Sequence, residues 1–547
     1  MAQTRSINSR DFNLIFCVAA LLILCAINFF FHLGQVSYIG PDEPRYVQIA
    51  REMYERGDWI TPQLFHINWF EKPALTYWLT ALGFKFLGRS EFAERFPTAL
   101  FSTFGIFLLL YFGRRIFSNR FGFLAAFGLA SSAIWIGFSR AATFDLPLAV
   151  AMEIALVFFY LWFQDRKNRD WYICCFGVGL AMLAKGLIGI LLPAIIIGAF
   201  LILNGELFSI LKNPKLFGLG FLIFLVTIST WYAPMLMLHG NSFIDEFFIQ
   251  HHFKRFLTNK YKHPQPFYFF PVVAILGCLP WTPYLLRSFY SSCKDWRELL
   301  QFRSKPLQLF VWIWIATILG FFSISSSKLT GYILPVFPAI AILLAQQFDE
   351  WWEQPPRTFW RWTITGLCTL MIIGAAWLAV KSSNVIYCNP LVILQVSAAL
   401  GLSAIICFSL LVLKSEREAT LAMPFGLALA LIMALRAFHP YVEFKQTTAE
   451  IAVKAREAAT PKERLIFYIN NHHSIDYYAP DMPLRDGHSE LITLMKPEEV
   501  SQLLEQQPSK SLLVLSPYQW VGQLSAVMTT EKVWGRDRWT LIRVKNK

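Results

Sequence analysis

The sequence predicts a polytopic α-helical membrane protein. It should have about thirteen transmembrane helices, interfacial helices in its first outer loop and a small C-terminal α/β domain outside the membrane. Three observations carry this reading. Of the 547 residues, 55% are hydrophobic and only 16% are charged. Apolar runs of spanning length recur over roughly the first four-fifths of the chain. From residue 441 onward the pattern changes to short apolar strands between helical stretches.

The basic stretch "MAQTRSINSR" leads into an apolar run near 12–33. That run is too long for a signal-peptide core and lacks a small-residue cleavage site, so it reads as a retained anchor. The first outer loop, 34–96, holds "PDEPRYVQIAREMYERGDW". Pro44 suits the first helical position, Asp42 or Glu43 can cap the helix, and Gly57 closes it. Tyr46, Ile49, Ala50, Met53 and Tyr54 recur at helical spacing, while Arg45, Gln48, Arg51, Glu52, Glu55 and Arg56 take the other face. This predicts an amphipathic helix on the membrane surface.

Further spans are expected near 97–113, 121–138, 146–163, 170–183, 187–203, 216–238, 269–287, 308–324, 332–347, 359–380, 391–413 and 421–438. The segment 73–88 is short and contains Lys85. If it does not cross, Arg114, Arg115, Arg120 and the clusters "QDRKNR", "LKNPK", "RTFWR" and "KSER" all fall inside with the N-terminus. Positive-inside bias therefore makes 73–88 an interfacial or re-entrant helix. Residues 1–440 form the membrane domain and 441–547 the outer domain, with strands at 464–469, 511–516 and 539–545 and helices at 445–458 and 497–506. The polar "INNHHSIDYYAP" (469–480) reads as a surface turn. The net charge of +13 reflects the inner loops rather than nucleic-acid binding. Nine cysteines without a CxxC pair give neither a disulfide framework nor a metal cage.

With this parity the unusual polar groups gather at the outer face. Asp42 and Glu43 sit at one helix start, and Asp145, in "RAATFDLPL", at the mouth of a span. The helix dipole favours their ionised forms, which can act as base, hydroxyl acceptor or cation ligand. Glu71 and Lys72 are adjacent in "NWFEKPALTYW", and Lys185 stands alone in "AMLAKGLIG" with no acidic neighbour in sequence. An anionic headgroup is an apt partner for Lys185. "EFFIQHHFKRFL" supplies His251, His252 and Arg255, whose planar fork suits phosphate. One of the histidines could complete a site with Glu71 for a divalent metal such as zinc. Lys328 and Tyr332 begin a span in "SSSKLTGYILP". Carboxylates facing cations in one outer cleft suit a substrate with an anionic lipid headgroup and a hydroxyl-rich group, such as a polyprenyl-phosphate sugar.

The ordered pieces "DEPRY" (42–46), "EKP" (71–73), "RAATFDLP" (140–147), "LAKGLIG" (183–189), "HHFKRF" (251–256) and "KLTGYILP" (328–335) give the chain a resemblance to a known family. It resembles the GT-C membrane glycosyltransferases, most closely the lipid A aminoarabinose transferases, which are related to protein O-mannosyltransferases. The resemblance implies a donor of undecaprenyl phosphate bearing 4-amino-4-deoxy-L-arabinose and a lipid A phosphate acceptor. It implies a monomer in the bacterial inner membrane, acting at the periplasmic face among membrane lipids. Carried over by motif, Asp42 and Asp145 form the acidic catalytic centre. Glu43, Arg45 and Tyr46 belong to the substrate loop, Lys185 and Arg255 hold the lipid-linked phosphate, and Lys72, Lys328 and Tyr332 line the donor pocket. Glu71 with His251 or His252 is the implied metal site. A lipid-linked sugar transporter and an O-mannosyltransferase-like enzyme are the competing expectations. A transporter tends to keep its ionisable groups near the membrane midplane, often in repeated halves, and no internal repeat is visible here.

Overall fold

The computed structural model describes residues 11–38, 42–207, 213–254, 265–294, 305–353, 357–381, 390–446, 449–469, 474–486, 491–507, 509–536 and 539–547. The chain divides into two compact units. One comprises residues 1–33, 70–83 and 95–438; the other comprises 34–69, 84–94 and 439–547.

The first unit is helical and apolar. Eight helices among the described residues are long and apolar enough to cross a membrane, or nine if the bent pair Asn119–Ala130 and Ala133–Ser139 forms one span. Two of the expected spans fold as shorter apolar helices, Leu14–Phe30 and Ile188–Leu203. Helix Leu75–Leu87 has 13 residues, which at ~1.5 Å per residue is about 20 Å, well short of a ~30 Å hydrocarbon core. Its length agrees with a segment that does not cross.

Helix Asp145–Asp165 runs through the interior of this unit, with 89% of its spanning window buried. The two residues Arg166 and Lys167 connect it to helix Asn168–Lys185, and so short a link makes the pair antiparallel. Their lengths, 21 and 18 residues, nearly match, so the second helix ends level with the start of the first. Gly186 closes that end with φ 73°, ψ −146°, a backbone shape that suits glycine.

The second unit contains helix Asp42–Arg56, a two-stranded hairpin and a five-stranded mixed sheet. The hairpin strands are β1, Gln63–Leu64, and β2, Ile67–Asn68. The sheet comprises β3 (Arg464–Tyr468), β4 (Thr493–Leu494), β5 (Ser511–Pro517), β6 (Thr529–Arg536) and β7 (Trp539–Lys545). The strand order is β4-β3-β5-β7-β6, parallel across the first three and antiparallel beyond β5. Its strands read as continuous apolar runs because both faces are covered. Leu465, Phe467, Leu513 and Leu515 pack with Ile451 and Ala455 on one face. Ile466, Tyr468, Leu512 and Val514 pack with Val500, Leu504 and Leu524 on the other.

Two sequence expectations change in this unit. Gln48 and Glu52, assigned to a solvated face, are buried. Glu52 accepts from the Gln48 side chain at 2.8 Å and from the backbone N–H groups of Phe65 and His66 at 2.8 and 3.1 Å. The 42–56 helix is thus anchored by polar contacts on the side predicted to face water. The stretch 469–480 is not simply a surface turn either, because Ser474 and Ile475 are fully buried. Tyr477 donates to Glu94 at 2.5 Å, and Tyr478 to Glu91 at 3.1 Å. Burial pushes the Tyr477 hydroxyl pKa up, and the Glu94 carboxylate beside it adds to the shift.

Candidate donor-binding site

The antiparallel helix pair in the membrane unit brings into direct contact two groups that sequence reasoning had assigned only to the same outer face. Lys185 donates to the Asp145 carboxylate as an ion pair, with side chains 18% and 20% exposed. The positions reinforce each other electrostatically. Asp145 lies in the first turn of its helix, where the dipole favours an anion, and Lys185 ends its helix, where it favours a cation. Lys185, which has no acidic neighbour in sequence, therefore acquires one through the tertiary fold. Such a pair adds little net stability, because desolvation offsets much of its Coulomb gain. What it fixes is position.

A third segment completes this side. The 3-10 helix Thr330–Val336 places the Tyr332 ring beneath the Lys185 ammonium, 4.7 Å from nitrogen to ring centroid. The Phe322 ring packs on Tyr332 at 5.4 Å. Gly331 backs directly onto Asp145, since a Cβ there would lie 2.3 Å from Asp145 Oδ2. Sequence reasoning did not single out Gly331, although its place just before Tyr332 was a usable signal. Lys328, on the same approach, is buried and donates to the Ser325 carbonyl at 2.5 Å. In the same unit, Lys72 donates to Glu71 at 2.5 Å, with both side chains 11% exposed.

The remaining candidates belong to the second unit or fall outside the described residues. Asp42, Glu43, Arg45 and Tyr46 belong to the second unit, in helix Asp42–Arg56. There Asp42 is exposed, Glu43 is buried, and the Arg45 guanidinium lies 5.4 Å from the Trp69 ring centroid. Arg255 falls outside the described residues, as do the side chains of His251 and His252. Among the described residues no group of three His, Cys, Asp or Glu side chains could hold a metal ion. Glu71, the described member of the expected metal site, has its carboxylate on the Lys72 ammonium.

Chemically, the Asp145–Lys185–Tyr332 group offers one carboxylate and an ammonium whose other hydrogens remain for a second acceptor. Lys carries three N–H donors, and Asp145 occupies one. A phosphate could take the others while the carboxylate faces the group attached to it.

Residues 71–233, which include Lys72, Asp145 and Lys185, match the family model of dolichyl-phosphate-mannose-protein mannosyltransferases. The undecaprenyl phosphate-α-4-amino-4-deoxy-L-arabinose arabinosyl transferase of Aeromonas salmonicida is 29% identical over 365 residues, covering 65% of this chain and 64% of that protein. The corresponding transferase 2 of Pseudomonas fluorescens is 29% identical over 331 residues, 59% of this chain and 55% of that one. The chain thus aligns with somewhat under two-thirds of these relatives' length. The crystal structure of ArnT from Cupriavidus metallidurans bound to undecaprenyl phosphate superposes with a TM-score of 0.77 at 23% identity, covering 97% of each chain. The apo form gives 0.76 at 24% identity, again over 97% of each. The shared fold therefore extends over nearly the whole chain.

Proposed function

We infer that the chain is a polyprenyl-phosphate-sugar-dependent glycosyltransferase of the GT-C type; its likeness in sequence and fold to the bacterial aminoarabinosyl transferases supports this reading. Its donor is undecaprenyl phosphate carrying 4-amino-4-deoxy-L-arabinose, and its acceptor is a lipid A phosphate. It works as a monomer at the periplasmic face of the inner membrane. The observation that carries this reading is the Asp145–Lys185 pair over Tyr332; Asp145 and Lys185 lie inside the stretch that matches the dolichyl-phosphate-mannose-protein mannosyltransferase model, and Tyr332 lies beyond it.

In the reaction, the bond between the sugar and the donor phosphate breaks, and its electron pair leaves with the phosphate. Lys185 stabilises that developing charge in a partly enclosed site, where electrostatic contacts are stronger than in water. The acceptor phosphate is already anionic and attacks the sugar carbon without needing a base. Asp145 then stabilises positive charge developing on the ring. A hydroxyl acceptor would instead need a carboxylate base. The roles given to Asp42, Glu43, Arg45, Tyr46 and Arg255 rest on their motifs. No step is routed through a divalent metal.

The test is mass spectrometry of lipid A and of envelope proteins from cells with and without the gene. A pentosamine lost from lipid A supports the proposal; a hexose lost from proteins would instead support O-mannosyl transfer, the activity for which the matching family model is named. Purified protein in detergent should still transfer sugar. A transporter, which needs a sealed compartment, would not.

A further inference from the structure

Asp145 is reached through the link 140–144, which leaves helix Ala133–Ser139 and enters the helix that Asp145 begins. Backbone contacts support this link only weakly. The Arg140 and Ala141 N–H groups reach back to the Gly137 and Phe138 carbonyls at 3.3 and 3.4 Å, and Thr143 donates to the Ala141 carbonyl at 2.9 Å. Its placement therefore depends on side chains.

Arg140 ties one end of the link to the first apolar helix. Its Nη1 donates to the Asn28 carbonyl at 3.0 Å and its Nη2 to the Phe31 carbonyl at 2.8 Å. That helix closes in a π turn, Ala26–Phe30, and the last carbonyls of a helix have no partner along it. A cation there also meets the negative end of the helix dipole. Arg95 takes the neighbouring Leu33 carbonyl at 3.2 Å, and the Asn28 side chain donates to the Ala130 carbonyl at 3.1 Å. Among the described residues no carboxylate pairs with Arg140, so its fork serves the helix end alone. At the other end of the link the buried Phe144 ring packs edge-on against Tyr77 at 5.2 Å. Phe138, just before the link, crowds the same side of Gly331 as the Asp145 carboxylate. From this juxtaposition we propose that Arg140 is a positioning residue for the transfer reaction. By fastening the link to the end of the first helix, it sets where the Asp145 carboxylate stands against Lys185. The proposal rests on the role given to Asp145 above. The two carbonyls lie about one helical turn apart, a span that a planar guanidinium bridges with two nitrogens and a lysine ammonium does not.

Arg140→Gln and Arg140→Lys should be compared with the wild type, as purified full-length protein in detergent, by donor binding, single-turnover transfer and hydrogen exchange. Donor affinity should stay within about threefold, because Lys185 keeps its place. Transfer by Arg140→Gln should fall about 10- to 100-fold, the scale of a misplacement of about 1 Å, and Arg140→Lys should recover part of it by holding one carbonyl. Exchange should quicken over 26–33 and 141–148 and stay unchanged over 168–185, the helix that carries Lys185. Transfer and exchange like those of the wild type in Arg140→Gln overturn the proposal. An equal loss of donor binding and transfer also overturns it, by marking Arg140 as a binding residue. Faster exchange that spreads over 168–185 does the same, by marking general destabilisation. A wild type that transfers no sugar sinks the function proposed above rather than the clamp, and exchange over 141–148 then decides: if Arg140→Gln leaves it unchanged, the clamp fails too. Should Arg140→Gln fail to fold, Arg140→Lys decides alone, and unchanged transfer and exchange overturn the proposal.

Discussion

Lys185 has only apolar residues and Gly186 beside it in sequence, so its carboxylate partner is invisible in the linear chain. The pairing with Asp145 sharpens what each substitution should do. Lys185→Ala should weaken donor binding by roughly 10- to 100-fold, because a charge-assisted contact of ~1.5–3 kcal/mol is lost. Asp145→Asn keeps the shape and should bind donor while losing turnover. Donor binding and single-turnover transfer, measured separately, distinguish these. An Asn variant with normal transfer would reduce Asp145 to a helix cap. Gly331→Ala makes a stricter demand. Its Cβ would sit within 2.3 Å of Asp145 Oδ2, so the carboxylate must move. Turnover should fall while melting of the protein changes little. An unaffected rate would mean that the position of the carboxylate does not matter. The Asp145 and Lys185 motifs were legible as chemistry; their contact was not, because it depends on two helices of matched length.

At the scale of elements, the β1–β2 hairpin turns through Phe65 and His66, both at positive φ (54° and 66°), a region unfavourable for side chains other than glycine. Glu52 holds both of their N–H groups. Glu52→Ala should therefore destabilise the hairpin by about 1–2 kcal/mol, read as faster hydrogen exchange over residues 63–68, and exchange like that of the wild type would refute the clamp. In the sheet, Glu463 is buried beside β3 and β5, which pushes its pKa up. Hydrogen bonds from Arg543, the Thr460 N–H and Ser511 outweigh burial and hold it below the usual carboxylate range. Its contribution is thus complete above the unfolded value of ~4.3 and fades as pH falls through the lower folded value. Glu463→Gln should flatten the loss of stability below about pH 4.3, measured by hydrogen exchange in β5 on the full chain, with intrinsic rates corrected for pH. Equal slopes in both proteins would show that this pairing does not set the acid limit. The strands β3, β5 and β7 were legible from their apolar runs. Neither β4 nor β6 was: β4 has only two residues, and β6, "TTEKVWGR", has no apolar run.

For the molecule as a whole, positive-inside bias predicts the sidedness. In a cysteine-free background, Arg114→Cys and Glu505→Cys place single labels on exposed positions of the membrane unit and of the second unit. A thiol reagent that cannot cross the inner membrane should reach Glu505→Cys from outside, and Arg114→Cys only after the membrane is opened. The reverse pattern would mean that 73–88 crosses the bilayer, and it would place the Asp145 end of the helices inside.

By itself the sequence determined the membrane class, three of the five strands of the C-terminal sheet and the residue types of the candidate site. Apolar length, two-face burial and motif spacing are properties of the linear chain, set by the bilayer and by backbone hydrogen bonding. Only the tertiary structure decided which charges meet. Asp145 and Lys185 are forty positions apart, Tyr332 lies far beyond both, and Glu52, read as part of the polar face, is buried and bonded to the hairpin backbone. Each of these contacts depends on where helices end and cross, and Coulomb and hydrogen-bond energies act at distances that sequence separation does not encode.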